Sequence, residues 1–197
     1  MTIILGSSSP RRKEILSFFN LPFKVASPQF DEKSISKDLP VKDFVIEIAK
    51  GKALTLQNLY PKDIILTADT IVHFKGTIFE KPDDHAHAKE MLRQLSGQTH
   101  EVYTSVCTLK NGQIFCDAEV TEVTFCKLSK KHIDTYHQHF YFEDKAAGYA
   151  IQNAGSIIVK EIKGCFYNIM GLPIQLTVNK LNDVGIDLWD YLEKHSF

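Results

Sequence analysis

The sequence lacks a metal-binding cysteine pair, a glycine-rich nucleotide loop and an excess of charge of one sign. Its cysteines stand at positions 107, 116, 126 and 165, without any C-x-x-C pair, which excludes zinc-ribbon spacing. A chain of 197 residues can bury a core without a disulfide framework, so we expect free thiols in a reducing compartment. The pattern G-x-x-x-x-G-K-S/T is absent, which excludes a Walker A loop.

Positive and negative charges nearly cancel, with 23 Lys and Arg against 24 Asp and Glu. Proteins that bind duplex nucleic acid through its phosphates usually carry a basic excess, so we expect no nucleic-acid partner. No stretch approaches the roughly 20 apolar residues of a membrane helix, and the apolar run at the N-terminus is too short for a signal peptide. We therefore expect a cytoplasmic protein with no membrane partner, in which any cluster of cations binds a small phosphate compound.

The order of apolar runs predicts an α/β protein with a mixed sheet. Short runs at 2–5 and 64–68 are typical of buried strands, and Asn111-Gly112 predicts a hairpin between strands at about 100–109 and 113–126. Strands thus alternate with helices at both ends of the chain, with a hairpin in the middle. Helices are predicted at about 10–19, 40–59, 83–95, 129–140 and 173–184. The length favours a single domain over residues 1–197, either undivided or as two lobes that share a cleft.

A hydroxyl-rich and cationic segment follows the first apolar run. Ser7, Ser8 and Ser9 lead into a helix that is predicted to begin at the following proline. Arg11 and Arg12 then fall in the first turn, where positive charge opposes the helix dipole. Backbone N–H groups, hydroxyls and guanidinium groups in one place are typical of a phosphate site. The alternative is an ordinary Ser-Pro helix start with two solvated arginines.

Lys52 stands on the apolar face of the helix predicted after Pro40. Val41, Phe44 and Ile48 define the buried stripe, and at about 100° per residue position 52 falls within about 20° of Val41. The lysine thus occupies a position where Leu or Ile would be expected. Either its ammonium neutralises a phosphate in a cleft, or its stem passes the core and the charge reaches water.

Asp69 and Thr70 directly follow the apolar run 64–68. An acidic residue at the carboxyl end of a buried strand is typical of ligand sites in α/β proteins. Its carboxylate can activate water as a general base or bind Mg²⁺. The alternative is an aspartate bonded to its own backbone in a turn.

The remaining polar candidates are less specific. Glu80 and Lys81 place a carboxylate beside an ammonium before a proline, with a helix-entry turn as the alternative. Glu32 lies in a polar loop, and by itself it is typical of a solvated surface residue. The paired histidines at 85/87 and 137/139 are two residues apart, so they share no helix face, and we expect the histidines at the surface. The whole set suits a polyphosphate that binds with a divalent metal, Mg²⁺ or Mn²⁺, and is attacked by an activated water. Its cations are Arg11, Arg12, Lys52 and Lys81, and its carboxylates are Asp69, Glu32 and Glu80.

Seven motifs occur in the same order as in a known family. They are S-x-S-P-R-R at 7–12, the mid-helix lysine at 52, A-D-T-I-V at 68–72, E-K-P at 80–82, L-S-G-Q-T-H-x-V at 95–102, G-Y-A-I-Q at 148–152 and G-x-x-x-N-x-x-G-L-P at 164–173. Together they cover about residues 3–175 and resemble the Maf family of nucleotide pyrophosphatases. The resemblance implies an elongated mixed α/β fold, two lobes around a cleft, similar to the inosine triphosphate pyrophosphatases. It also implies that a homodimer is plausible.

The resemblance further implies a reaction and roles for individual residues. A nucleoside triphosphate would be hydrolysed between its α and β phosphates with a divalent metal, and Asp69 would be the proton acceptor. Independently of the resemblance, the residues themselves make Asp69 and Glu32 the expected metal ligands, with the rest of the metal shell left open, and add Lys52 and Lys81 to Asp69 as expected catalytic residues. Residues matching Arg11, Thr70 and Gln152 are linked to base choice, and this combination is similar to the subgroup that acts on dTTP and UTP.

Two alternatives accompany this interpretation. The same hydrolysis can act on another base, such as 7-methyl-GTP or a modified pyrimidine, and the protein can instead be a regulatory nucleotide-binding or division-linked factor. The chain also departs from the family after Gln152, where Asn153, Ala154, Gly155 and Ser156 replace an expected Gly-x-Gly-Gly. Since Asn tolerates positive φ and Ser is small, we expect the loop to form.

Overall fold

The computed structural model describes residues 2–143 and 145–192, and these form a seven-stranded mixed sheet flanked by helices. The strands are β1 (Ile3–Gly6), β2 (Phe23–Ala26), β3 (Ile64–Phe74), β4 (Thr77–Phe79), β5 (Thr99–Lys110), β6 (Gln113–Phe125) and β7 (Val159–Lys163). Their order is β2-β1-β3-β5-β6-β7, and β4 pairs with β3. β1 is parallel to both β2 and β3, whereas β3–β4 and β6–β7 are antiparallel. The predicted mixed α/β class is confirmed.

The helices are α1 (Pro10–Leu16), α2 (Val41–Gln57), α3 (His85–Leu95), α4 (Lys130–His139), α5 (Phe166–Met170) and α6 (Ile174–Asn182). Short 3₁₀ segments occur at Glu32–Ser34, Ala146–Gly148, Asn153–Ile158 and Leu188–Tyr191. α1 ends earlier than predicted because the backbone N–H groups of Phe18 and Phe19 bond to carbonyls three residues earlier, so the chain continues in tighter turns instead of the α-helix. Among the described residues, no helix is both long and apolar enough to cross a bilayer.

The chain forms two compact units. The first comprises residues up to Asp69, residues Thr104–Glu119 and residues from Gly171 onwards, and the second comprises Thr70–Tyr103 and Val120–Met170. An apolar cluster lies in the first unit, formed by Ile4, Ala53, Leu56, Ile65 and Leu109. The second unit contains a buried aromatic cluster of His100, Phe125 and Tyr149, whose rings meet edge to face.

β3 does not stop where the sequence predicted. It continues without interruption from Ile64 to Phe74, so Asp69 and Thr70 lie inside an eleven-residue strand rather than after a shorter one. The neighbouring β1, however, ends at Gly6, which pairs with Thr67. Asp69 therefore lies two residues beyond the end of its neighbour. The turn considered for Asp69 is wrong, but the residue still sits at the carboxyl end of a parallel strand pair.

Two of the four cysteines are not free thiols. Cys107 and Cys116 form a disulfide with their Cα atoms 4.2 Å apart, whereas Cys126 and Cys165 are free. The cause is the hairpin between β5 and β6, whose turn residues Asn111 and Gly112 both have positive φ. This two-residue turn places residue 107 directly opposite residue 116, and directly opposed cysteines on antiparallel strands are close enough to form a disulfide.

The expectation that all histidines lie at the surface is also wrong. His100 and His137 are only 1% and 3% exposed. Nε2 of His100 forms a hydrogen bond with the hydroxyl of Tyr149 at 2.8 Å. Nε2 of His137 lies 3.2 Å from the carbonyl oxygen of Gly148. The rings of His100 and His137 pack against the aromatic rings of Phe125 and Phe142, respectively. The spacing of the histidines along the sequence does not reveal these contacts.

Candidate active site

Helix α2 lies close against the first unit's strands, and this contact positions the candidate site. A Cβ atom on Gly6 would be 2.6 Å from a methyl group of Leu56 and 2.7 Å from that of Thr67, so the absence of a side chain at Gly6 lets these two residues pack closely here. The hydroxyl of Thr67 donates to the carbonyl of Ala49 at 2.7 Å, and the hydroxyl of Ser105 donates to an α2 carbonyl one turn earlier, also at 2.7 Å. The helix is thus fixed to the sheet three residues before Lys52.

The strand pleat then brings Asp69 to Lys52. Residues two apart on a strand face the same way, so Asp69 shares the face from which Thr67 bonds α2. The ammonium nitrogen of Lys52 is 2.6 Å from Oδ1 of Asp69 and 2.7 Å from Oε1 of Glu32. Lys52 is 9% exposed, as its place on the apolar helix face predicted, and its charge ends between two carboxylates rather than in bulk water.

Asp69 is buried, with 7% of its surface exposed. Burial raises the pKa of its carboxyl group, because ionisation is less favourable away from water. The positive charges of Lys52 and Arg12 lower the same pKa but do not cancel the effect of burial. A carboxylate with a raised pKa is a stronger base than an exposed one, which suits it to remove a proton from water.

Glu32 reaches the site from a short turn. The carboxylate of Asp31 accepts a hydrogen bond from the backbone N–H of Lys33 at 3.1 Å and caps the turn Glu32–Ser34. Just before it, the ring of Phe30 lies against Gly51, where an added Cβ atom would be only 2.2 Å from the ring. Phe30 therefore docks the turn onto α2 next to Lys52, although nothing in the sequence pattern around Phe30 predicted this contact.

Arg12 completes the cluster in the first unit. Its Nε donates to the carbonyl of Gly171 at 2.8 Å, and one terminal nitrogen donates to the hydroxyl of Ser7 at 3.1 Å. Burial lowers the pKa of Arg12, while the carboxylate of Asp69 acts in the opposite direction. The structure thus joins the ends of the predicted S-x-S-P-R-R motif, Ser7 and Arg12, to the charged groups around Asp69.

The remaining residues of that motif differ in exposure. Ser8 is exposed, whereas Ser9 and Arg11 are partly exposed, as Arg12 is, and the side chain of Ser9 makes no capping hydrogen bond. Since α1 has only seven residues, its dipole contributes little, and the side-chain cations are the main source of positive charge here.

Thr70, Lys81 and Gln152 belong to the second unit. Thr70 is half-buried in β3, Lys81 is exposed between β4 and α3, and the neighbouring Glu80 is also exposed. Gln152 precedes the turn Asn153–Ile158, in which Asn153 adopts φ +54°, so the predicted tolerance of asparagine at this glycine position is confirmed. The amide oxygen of Gln152 is buried, and no donor among the described residues reaches it.

The donor set for a divalent metal is small but chemically suitable. Among residues 2–143 and 145–192, no group of three or more His, Cys, Asp or Glu side chains could hold a metal ion. Asp69 and Glu32, however, converge on one ammonium group, so two carboxylates already face a single positive charge. Mg²⁺ is commonly held by one or two carboxylates together with substrate phosphates and water, which fits this pair.

The chain is similar to curated proteins along nearly its whole length. A chlamydial protein from Chlamydia felis, named dTTP/UTP pyrophosphatase, is 45% identical over 96% of this chain and 97% of its own length. A protein of the same name from Pyrococcus furiosus is 44% identical over 93% of this chain and 95% of its own. A relative from Chlamydia muridarum, named nucleoside triphosphate pyrophosphatase, is 40% identical over 96% of this chain and 97% of its own length. Because the model of the Maf-like protein family also matches residues 2–184, the chain belongs to that family.

Proposed function

We propose that the protein hydrolyses nucleoside triphosphates, with dTTP and UTP as substrates, to the nucleoside monophosphate and pyrophosphate. The observation that carries this function is the buried Asp69 carboxylate, held 2.6 Å from the Lys52 ammonium and within the field of Arg12. In a protein that only bound phosphate, the cations would increase the affinity for phosphate, whereas the buried carboxylate would decrease it. The names of the relatives from Chlamydia felis and Pyrococcus furiosus support the choice of substrate.

In the proposed reaction, a water molecule attacks the anhydride that joins the α and β phosphates. The water oxygen forms a new bond to phosphorus, its proton passes to Asp69, and the bond to the bridging oxygen breaks as pyrophosphate leaves. Lys52 and Arg12 stabilise the negative charge that develops on the phosphate oxygens. Lys81, which is exposed and belongs to the E-K-P motif of the family resemblance, remains part of the proposal as a further cation for the phosphates.

Asp69 and Glu32 would hold the divalent metal. When bound, Mg²⁺ or Mn²⁺ neutralises phosphate charge and polarises the anhydride. The lysine between the two carboxylates has a complementary role, because its ammonium keeps both side chains pointing to one place.

Base choice is assigned to Gln152, with Thr70 and Arg11 as the further residues that the family resemblance indicates. A carboxamide has both a donor and an acceptor, so it can pair with the carbonyl and imide edge of thymine or uracil. The buried and unpartnered amide oxygen of Gln152 supports this role, since a buried acceptor without a donor is costly and a ligand would satisfy it.

The decisive experiment measures pyrophosphate release from a panel of nucleoside triphosphates with Mg²⁺ or Mn²⁺. We expect Asp69→Asn to lower turnover of dTTP by at least about 10²-fold, the scale for loss of a general base. Asp183→Asn, which alters an exposed carboxylate paired with Lys180, serves as the control and should retain full activity. If the protein binds dTTP but releases no pyrophosphate, it is the regulatory nucleotide-binding factor considered above. If it hydrolyses another nucleotide faster than dTTP and UTP, its base preference is a different one.

The cytoplasmic location is kept as part of this proposal because nucleoside triphosphates are intracellular compounds. The expectation of free thiols, which also favoured a reducing compartment, no longer holds for Cys107 and Cys116, because they form a disulfide. A homodimer also stays a prediction, to be checked by light scattering of the purified protein.

A further inference from the structure

The segment that carries Gln152 is fastened to a single buried hydroxyl group. Tyr136 lies on α4 with only 4% of its surface exposed. Its phenolic oxygen accepts a hydrogen bond from the backbone N–H of Ala150 at 3.0 Å. The same hydroxyl lies 3.1 Å from the carbonyl oxygen of Ala150 and 3.3 Å from that of Gly155, and it donates its proton to one of them at a time.

These bonds close a loop around Gln152. The backbone N–H of Gly155 donates to the carbonyl of Gln152 at 3.1 Å, so the chain turns back immediately after the glutamine. A Cβ atom on Gly155 would be 2.7 Å from the carbonyl oxygen of Ala150, which shows how closely the two ends of the loop approach. The positive φ of Asn153 lies within the same turn. Tyr136 therefore contacts both ends of the loop, and Gln152 lies between them.

A second anchor holds the start of the segment but not its return. The hydroxyl of the buried Tyr149 is 2.8 Å from Nε2 of His100, which fixes the residue before Ala150. Nothing in that contact reaches Gly155. The Tyr136 hydroxyl, in contrast, contacts both Ala150 and Gly155.

We propose that Tyr136 is a positioning residue for base selection: its buried hydroxyl fixes the loop 150–155 and thereby the orientation of the Gln152 carboxamide. This inference rests on the proposed function, in which Gln152 recognises the base. Tyr136 itself does not touch the nucleotide, because its hydroxyl is occupied by the loop backbone. A mobile loop would present the carboxamide in many directions, so the correct base would lose binding while water attack at the anhydride would be unchanged.

The test compares Tyr136→Phe with Gln152→Ala and with the control Tyr141→Phe, which removes a hydroxyl from an exposed residue that contacts Glu143. Each variant is assayed on the nucleotide panel, and amide hydrogen exchange of residues 150–155 is followed without nucleotide. For Tyr136→Phe we expect faster exchange in this segment and a KM for dTTP raised about tenfold, the effect of losing about one buried hydrogen bond. The kcat for dTTP should stay within about twofold, and the ranking of nucleotides should flatten towards that of Gln152→Ala.

The outcomes separate the two levels of the proposal. If Gln152→Ala flattens the ranking but Tyr136→Phe leaves both ranking and exchange as in the wild type, the inference about Tyr136 is refuted and the proposed base recognition stands. A uniform fall in kcat for every nucleotide, with an unchanged ranking, would show a merely structural role and also refutes it. If Gln152→Ala leaves the ranking unchanged, Gln152 does not select the base, and the inference falls together with that part of the proposed function.

Discussion

Replacing Lys52 by methionine removes the charge from a buried ion pair while keeping a side chain of similar length. In the wild type, the Lys52 ammonium is 2.6 Å from Asp69, and the side chains of the two residues are 11% and 10% exposed. Removing one partner of a buried pair leaves an uncompensated charge and typically costs 3–5 kcal/mol. Arg12 still lies near Asp69 in the variant, so we expect a loss at the lower end, about 3 kcal/mol of the free energy of unfolding at neutral pH.

The pH dependence of this loss has a definite sign. Burial raises the pKa of Asp69, so the folded chain holds this proton more tightly than the unfolded chain, and stability is lost as the pH rises through that pKa. Lys52→Met removes a charge that lowers the pKa, and it therefore raises the pKa further. The deficit of the variant should be largest near neutral pH and shrink as the pH falls and Asp69 becomes protonated. The acid limb of kcat/KM for dTTP should also move to higher pH.

The assay is equilibrium urea unfolding at several pH values, with Lys50→Met as the matched control. Lys50 lies on the same helix, is 38% exposed and pairs with Glu47 one turn away, so its loss should change stability by no more than about 0.5 kcal/mol. The double variant Lys52→Met/Asp69→Asn should be more stable than Lys52→Met alone, because the uncompensated charge is gone. If Lys52→Met is as stable as Lys50→Met at neutral pH, the ammonium reaches solvent and the pair is not buried.

Two further predictions concern the surroundings of the site. Burial lowers the pKa of His100 to about 4, so the folded chain resists its protonation, and stability present above the ordinary pKa of 6.5 is lost as the pH falls. Between pH 6.5 and 4, the free energy of unfolding measured in urea should fall by about 3 kcal/mol more for the wild type than for His100→Gln. Parallel plots of this free energy against pH for the two proteins would contradict the prediction. Gly51→Ala should place a methyl group in the ring of Phe30 and displace Glu32, so that the Mg²⁺ concentration needed for half-maximal activity rises. The ring is the cause if Gly51→Ala/Phe30→Ala has the same Mg²⁺ requirement as Phe30→Ala alone, whereas a Gly51→Ala protein with the wild-type requirement would show that the contact does not position Glu32.

Local pattern in the sequence was sufficient for the parts of the site that lie on long regular elements. The apolar period of α2 placed Lys52 on the buried face, and the apolar run 64–68 predicted a buried strand that leads directly to Asp69. The Asn-Gly turn likewise predicted β5 and β6 within a residue or two. In each case a hydrophobic repeat extends over enough residues to specify one face of a helix or strand.

Features that depend on contacts between distant segments were not predictable in the same way. The break expected at Asp69 was wrong because a charged residue is rare inside a buried strand, and here its charge is compensated by Lys52, which lies on a helix and seventeen residues earlier in the sequence. Helix α5, from Phe166 to Met170, was missed because five residues are too few to show a helical period. The disulfide required combining the turn with the strand register, which together align Cys107 with Cys116.

That disulfide also affects what happens when the chain is cut. The bond between Cys107 and Cys116 closes a covalent ring around the exposed turn at Asn111 and Gly112, the kind of loop tip at which proteases cleave. A protease that cleaves this tip opens the ring without separating the two fragments. The nicked protein would keep the mobility of a single polypeptide on a denaturing gel until a reductant is added, and only then divide into two bands.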